Sequence, residues 1–296
     1  VFVAFKWSKV NKMMFYNRQQ LSFDWEQEWG LRTTLSLKAE ENEACGDLRF
    51  TPLSRVNDAT FTSMRLRTTE AKFELEYSPS RTYINTKQKR MPINLDSPVF
   101  RLSHTIGVKG VLGGDYDYNF TEASIYKRFW MNSWGKIDMY LKGGVQWNKV
   151  PFPLLIMPAA NLSYIAEDGT FNLINNMEFL NDRYASLDVS WDLNGKIFNR
   201  IPLLKKLKWR EFIGVKCLWG DLTSKNNPYL HQGDGTLMEF PEGCYIMNPK
   251  RPYVEITAGI HNIFKLLHVE YVRRLNYLNL PTAHKDGIRI MLRFTF

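Results

Sequence analysis

In the run LLHVEYVRRLNY, His268, Glu270 and Arg274 carry side chains whose types could do chemistry together. Their numbers differ by even steps, and in an extended chain even steps put side chains on one face. An imidazole, a carboxylate and a guanidinium would then look into the same space. Hydrolysis there needs a serine or aspartate beside His268, so that base and nucleophile meet. The competing account is ion pairing across neighbouring strands, with Arg289 and Arg293 of the last strand facing Glu270. The reading favours pairing: Glu270, Arg274, Arg289 and Arg293 are candidate contact residues of a polar interior, and no catalytic residue is assigned.

The other reactive side chains give less. His104, His231, His261, His268 and His284 are scattered, with no HExxH and no i, i+4 pair, so no metal site is assigned. Asp115, Asp117 and Asn119 imitate the first positions of a calcium loop. The downstream glycine and the twelfth-position glutamate are missing, and a tight turn between strands explains the residues better. No GxSxG occurs, and Gly107, Gly110, Gly113 and Gly114 follow a strand without opening a helix, so no nucleotide fingerprint and no cofactor is expected. Three cysteines leave at least one unpaired. Cys217 reads as a small apolar filler beside Ile213, Val215 and Trp219. A bridge between Cys45 and Cys244 is an open option if their loops meet on an oxidising side.

The elements that must position these groups are strands. The last ten residues, GIRIMLRFTF, put Ile288, Ile290, Leu292, Phe294 and Phe296 on one face and Gly287, Arg289, Met291, Arg293 and Thr295 on the other. Similar alternation recurs near 13–25, 29–38, 65–78, 99–110, 118–130, 135–147, 183–194, 208–219, 252–260, 266–277 and 287–296. In RYASLDVSWDLN, Ala185, Leu187, Val189, Trp191 and Leu193 oppose Ser186, Asp188, Ser190 and Asp192. Strand 99–110 places His104 on the apolar face, and Gly143–Gly144 suggests a bend or close approach of another element.

Composition fits one architecture. Aromatic residues are 14% and hydrophobic residues 44%, yet mean hydropathy is -0.34. No window approaches the roughly 20 apolar residues of a membrane helix, whereas alternating strands with aromatic girdles characterise membrane β-barrels. The expected fold is therefore all-β: an antiparallel transmembrane outer-membrane β-barrel, with residues 1–296 as one domain. The net charge of +9 is spread over alternating strands and loops without a recognition helix, so no nucleic acid partner is assigned. A basic interior or a basic rim facing anionic lipid headgroups is the preferred use. The chain starts at Val1 without a signal peptide, so it is expected to be the C-terminal part of a longer protein.

Counting back from a final strand that ends at the periplasm makes Ala39–Met64, Val111–Asp117, Asn148–Asp182, Gly220–Arg251 and Leu278–Asp286 outward loops. It leaves 79–98, 131–134, 195–207 and 261–265 inside. In the long loop, Phe152, Leu154, Leu155, Ile156 and Met157 form an apolar run that water would penalise. The run tucks into the barrel mouth, meets a partner, or packs on itself as a hairpin extension. In GKIFNRIPLLKKLK, Ile197, Phe198, Ile201, Leu204 and Leu207 can share a helical face flanked by Arg200, Lys205, Lys206 and Lys208. Such a helix suits either a headgroup interface or a dock under the barrel.

Seven stretches carry a family resemblance: INLDSPVF (93–100), GVLGGDYDYN (110–119), ASIYKRFW (123–130), KVPFPLLIMPAANLSYI (149–165), NMEFLNDRYAS (176–186), NRIPLLKKLKWREF (199–212) and GIHNIFKLLHVEYVRRLNYL (259–278). Together they resemble a Bacteroidota family without an established activity. Its members carry an N-terminal carboxypeptidase-regulatory-like β-sandwich and a large outer-membrane barrel. That barrel is similar to the outer-membrane assembly-factor (BamA-like) superfamily, with about sixteen strands, so this chain would supply the C-terminal eleven or so. The resemblance implies that loop 148–182 folds back into the lumen. The loop carries Pro151, Pro153 and Pro158 around FPLLIM in place of the superfamily's arginine motif. Resemblance to other barrels makes Phe294 and Phe296 a terminal signal for insertion.

The expected function is non-enzymatic handling of proteins or lipids at the outer membrane of a Gram-negative bacterium, in assembly or translocation, as a subunit of a larger complex. Expected partners are outer-membrane lipid and other outer-membrane or periplasmic proteins. The alternatives are a plugged scaffold anchoring a periplasmic domain or surface partner, and a lumenal hydrolase.

Overall fold

The computed structural model describes residues 6–7, 11–58, 60–87 and 90–293. Its strands are β1 (Lys12–Glu26), β2 (Leu31–Gly46), β3 (Arg65–Tyr77), β4 (Tyr83–Asn85), β5 (Arg90–Pro92), β6 (Val99–Gly107), β7 (Tyr118–Trp130), β8 (Lys136–Gln146), β9 (Arg183–Asp192), β10 (Arg210–Asp221), β11 (Tyr253–Ile263), β12 (Leu267–Arg274) and β13 (Asp286–Leu292). Strands β4 and β5 form a separate hairpin, and the other eleven make one sheet in chain order. Every neighbouring pair in it is antiparallel. The sheet is not closed: β1 and β13 are its two edges.

The two-residue rhythm sorts the faces. Across β8, β9 and β10, Ile137, Trp191 and Ile213 align, then Met139, Val189 and Val215, then Leu141, Leu187 and Cys217. Leu187, Val189 and Trp191 stay partly exposed, with no second layer over them among the described residues. On the same face Phe23, Phe73, Leu102 and Ile288 are exposed. His104 lies among them and shares a hydrogen bond with Thr121 Oγ1 at 2.8 Å.

The opposite face is charged and paired across strands, as carboxylates and cations at facing positions favour. Lys38 meets Glu70 at 2.8 Å, Arg101 meets Glu76 at 2.6 Å, Arg128 meets Asp138 at 2.6 Å and Lys142 meets Glu122 at 3.1 Å. Gly144 lets a ring cross this face: a Cβ there would come within 2.8 Å of Tyr184, whose hydroxyl donates to Glu122 at 2.6 Å.

Long and short connections segregate. Residues 47–64, 108–117, 147–182, 222–252 and 275–285 gather at one end, and 27–30, 78–98, 131–135, 193–209 and 264–266 at the other. The expected connection from Ala39 starts later, after Gly46, because β2 continues its pairing with β1 and β3 to that point. There Arg65 reaches Glu41 at 3.1 Å and Glu43 at 3.4 Å. The single helix expected in the β9–β10 connection is broken in two: a turn at Phe198–Arg200 and helix α1 at Pro202–Leu207, with extended Ile201 between them. Proline disfavours the helical conformation in the residue before it.

The buried apolar cores lie at the long-loop end. One joins Leu48, Phe50, Val150, Phe152, Leu155 and Phe240, and the other Phe171, Phe179, Leu218, Tyr253 and Tyr277. Cys244 sits in the first core while Cys45 occupies the apolar face with Met13, so the two thiols are free and no bridge joins them. Burial pushes the Cys244 thiol up to about 11, against the opposing pull of the Lys12 ammonium.

Candidate functional site

Loop 147–182 doubles back onto the polar face of β10 to β13, where buried charges grip its backbone. Alternation along β11 points Tyr253 and Glu255 inward, and along β12 it does the same for Val272 and Arg274, all fully or almost fully buried. The Glu255 carboxylate accepts from Asn172 N at 2.9 Å, Leu173 N at 3.2 Å and Tyr253 OH at 2.8 Å. These amides belong to irregular chain and would otherwise be orphaned, at a cost of about 1–3 kcal/mol each.

Arg274 closes the other side. Its guanidinium donates to Glu178 Oε1 at 2.7 Å, to Leu173 O at 3.3 Å and to Tyr277 O at 3.1 Å. Its charge also lies 4.9 Å from the centre of the Tyr253 ring. Arg289 donates to Asn172 O and stands 4.9 Å from the Trp7 ring centre, while its Nε finds no partner. Lys216 of β10 donates to Thr170 O at 2.5 Å. Two carboxylates, Glu255 and Glu178, thus balance two guanidiniums, Arg274 and Arg289, and a buried cluster survives only with such compensation.

A second grip is apolar. Phe152 and Leu155 are buried, with Leu154, Ile156 and Met157 partly so. Phe152 makes edge-on contacts with Phe50 at 5.8 Å and Phe240 at 6.5 Å between ring centres. The run therefore packs on loops 47–64 and 222–252. The hairpin extension is overturned: the segment makes one short turn, Phe152–Leu154, and an isolated bridge between Ile156 and Asn181, because its prolines interrupt any ladder. A cavity of about 370 Å3 beneath it is lined by Leu154, Leu155 and Met157 on one side and Glu40 and Glu70 on the other. A larger polar cavity, about 520 Å3, lies between β1 and β8 with Asp24, Arg32, Glu74 and Arg101 in its wall.

The loop also covers a sheet edge. Ile165 runs parallel to Ile290 of β13, with Ala166 N donating to Ile290 O at 2.8 Å and Ile290 N to Tyr164 O at 2.7 Å. Unpaired edge groups invite such pairing.

The four charges singled out from sequence do not converge. Glu270 is buried but pairs with His261 at 3.0 Å rather than with Arg289 or Arg293. The reason is that Arg289, though opposite Glu270 in register, extends toward the loop carbonyl of Asn172. Arg293 has an exposed side chain, and its backbone N–H donates to Leu266 O at 2.9 Å. His268 lies tilted against His261 with ring centres 4.2 Å apart, and neither of its ring nitrogens has a hydrogen-bond partner. Among the described residues, no serine or aspartate is hydrogen-bonded to either ring nitrogen of His268. Phe294 and Phe296 lie outside the described residues.

Sequence reasoning missed Glu255, Glu178, Asn172 and Lys216. Glu255 carried a usable signal, an acidic residue on the inward phase of YVEIT; its loop partners carried none. Asp117 closes the turn between β6 and β7, accepting from Lys109 N at 2.7 Å, whereas Asp115 ties that turn to β3, accepting from Arg67 N at 2.8 Å. Among the described residues, no three His, Cys, Asp or Glu side chains converge where a metal ion could sit.

An antiparallel sheet in chain order, apolar on one face and charged on the other, with a long loop folded against the charged face, is similar in fold to part of two solved β-barrels. It superposes on BamA from Haemophilus ducreyi lacking POTRA domains 1-3 with a TM-score of 0.55 and 10% identity, over 94% of this chain and 54% of that one. For CdiB from Acinetobacter baumannii the TM-score is 0.51 at 11% identity, over 94% of this chain and 41% of that one. The chain thus spans about half the length of the first structure and less of the second. It belongs to the family of unknown function DUF5686, C-terminal domain, which matches residues 6–235. No curated protein matches the sequence.

Proposed function

We propose that this chain forms the wall and plug of an outer-membrane β-barrel in a Gram-negative bacterium. In this reading it handles proteins or lipids at that membrane in company with other outer-membrane or periplasmic proteins. The observation that carries the reading is the capture of Asn172 and Leu173 by Glu255, Arg274 and Arg289. A loop held by its backbone to charged strands blocks the polar interior, and removing it would open a path. The exposed apolar rows support membrane embedding, since a continuous apolar face in water is costly at about 25 cal/mol per Å2. The long-loop end then faces outward and the short-turn end faces the periplasm. Origin in Bacteroidota, an N-terminal carboxypeptidase-regulatory-like domain and closure to about sixteen strands belong to the same proposal.

The barrel is non-enzymatic in this reading. His268 without a polar partner supports that, and cleavage of lipid or peptide by the intact protein, lost in His268→Ala, would overturn it. A static scaffold is the second reading, favoured by the complete burial of the Arg274–Glu178 pair. Conductance of the full-length protein in planar bilayers separates the two. A handling barrel is closed when intact and conducts when residues 150–158 are deleted. A silent deletion variant favours the scaffold.

A further inference from the structure

The basic connection between β9 and β10 takes no part in the plug. Between Leu193 and Arg210 there is no Asp or Glu, but there are Lys196, Arg200, Lys205, Lys206 and Lys208. Of these, Arg200, Lys205, Lys206 and Lys208 are exposed, and among the described residues none of the four has an ion-pair partner. Interleaved with them are exposed apolar side chains: Leu203 is 73% exposed, Ile197 50% and Leu207 44%. A soluble turn has no reason to present leucines to water beside unpaired cations.

The surroundings identify what covers them. The neighbouring turns contribute Trp134 and Phe264, the latter 86% exposed, again without a carboxylate in 131–137 or 262–269. Trp134 and Trp191 lie 6.3 Å apart, Trp191 Nε1 donates to Trp134 O at 2.9 Å, and Lys196 sits 5.2 Å from the Trp134 ring centre. Trp191 aligns with Ile137 and Ile213 on the apolar face, so the patch continues that face past the strand ends. Asn262 Nδ2 donates to Lys208 O at 2.7 Å, which fixes the connection to the adjacent turn. Apolar side chains level with the end of an apolar wall, with cations just beyond, match acyl chains followed by phosphates.

We infer that residues 196–208 form an anionic-phospholipid site at the short-turn rim, with Ile197, Leu203 and Leu207 among acyl chains and Arg200, Lys205, Lys206 and Lys208 on headgroup phosphates. This deepens the barrel reading, on which it rests, by naming a lipid class. Its occupant is the acidic phospholipid of the periplasmic leaflet rather than a protein.

The test uses the full-length protein in nanodiscs holding phosphatidylethanolamine and phosphatidylglycerol in equal amounts. The ratio of the two lipids retained after mild detergent extraction is read by native mass spectrometry. Wild type should be enriched in phosphatidylglycerol, and the Lys205→Gln, Lys206→Gln, Lys208→Gln variant should lose about fivefold of that preference per lysine removed. In parallel, tryptophan fluorescence in Leu203→Trp should be quenched by phosphatidylglycerol brominated on its acyl chains, relative to the wild-type background. An unchanged lipid ratio in the triple variant overturns the inference. So does absence of quenching in Leu203→Trp while Leu187→Trp, on the apolar wall, is quenched; the barrel reading then stands. Absence of quenching at both positions overturns the site and the barrel together.

Discussion

Arg274 and Glu178 meet at 2.7 Å with neither side chain in contact with solvent, so a β12 cation holds a carboxylate of the loop between β8 and β9. The pair ties that loop to the sheet, and removing one partner strands the other charge in a buried site. Arg274→Ala and Glu178→Ala should each destabilise the fold by about 3–5 kcal/mol. Arg274→Met with Glu178→Met should cost less than either single change, as measured by urea denaturation of the reconstituted protein. Additive losses would mean that the ion pair is not a unit.

Glu255 gathers two loop amides and a tyrosine hydroxyl. Glu255→Ala should raise hydrogen exchange at Asn172 and Leu173 by roughly tenfold or more, since unmet buried donors cost about 1–3 kcal/mol. Tyr253→Phe removes a single donor and should leave those two amides protected.

Phe152 fills the junction between Phe50 and Phe240. Phe152→Ala should cost about 3–5 kcal/mol and increase protease cutting within 147–182. Ala159→Ser, at an exposed loop position, should change neither.

Leu187 pairs with Leu141 and Cys217 on the apolar face. If that face meets acyl chains, Leu187→Arg should destabilise the protein in bilayers by about 2–4 kcal/mol. Equal stability of variant and wild type in the same bilayers would remove the membrane assignment.

Cys244 offers a pH test at the loop end. Burial raises its thiol to about 11, outweighing Lys12, so the protonated form persists through neutrality. Since the thiolate is the nucleophile, alkylation of Cys244 in Cys45→Ser, Cys217→Ser protein should be slow at pH 8 and accelerate as pH rises toward 11. Full labelling at neutral pH would place Cys244 outside the core.

Much of the sheet was legible because strand side chains alternate with a period of two. Leu187, Val189 and Trp191 could be assigned to one face, and His268, Glu270 and Arg274 to the other, without knowledge of any neighbour. The separation of long from short connections followed from the same count. What failed was local in a different way. The connection 195–207 has a helical pattern of apolar residues, but Pro202 forces Ile201 out of the helix and splits it.

Which charges meet was decided by the tertiary structure alone. Register brings Glu270 opposite Arg289, but being opposite does not make them a pair. The loop supplies a carbonyl to Arg289 and a carboxylate to Arg274, while His261 takes Glu270. Those partners lie far along the chain in irregular backbone, where no periodicity fixes direction. The sequence by itself determined the faces, because pleating is a property of the strand. The path of loop 147–182 determined which of those charges meet, because burying its unpaired amides and carbonyls required the charges that happened to face them.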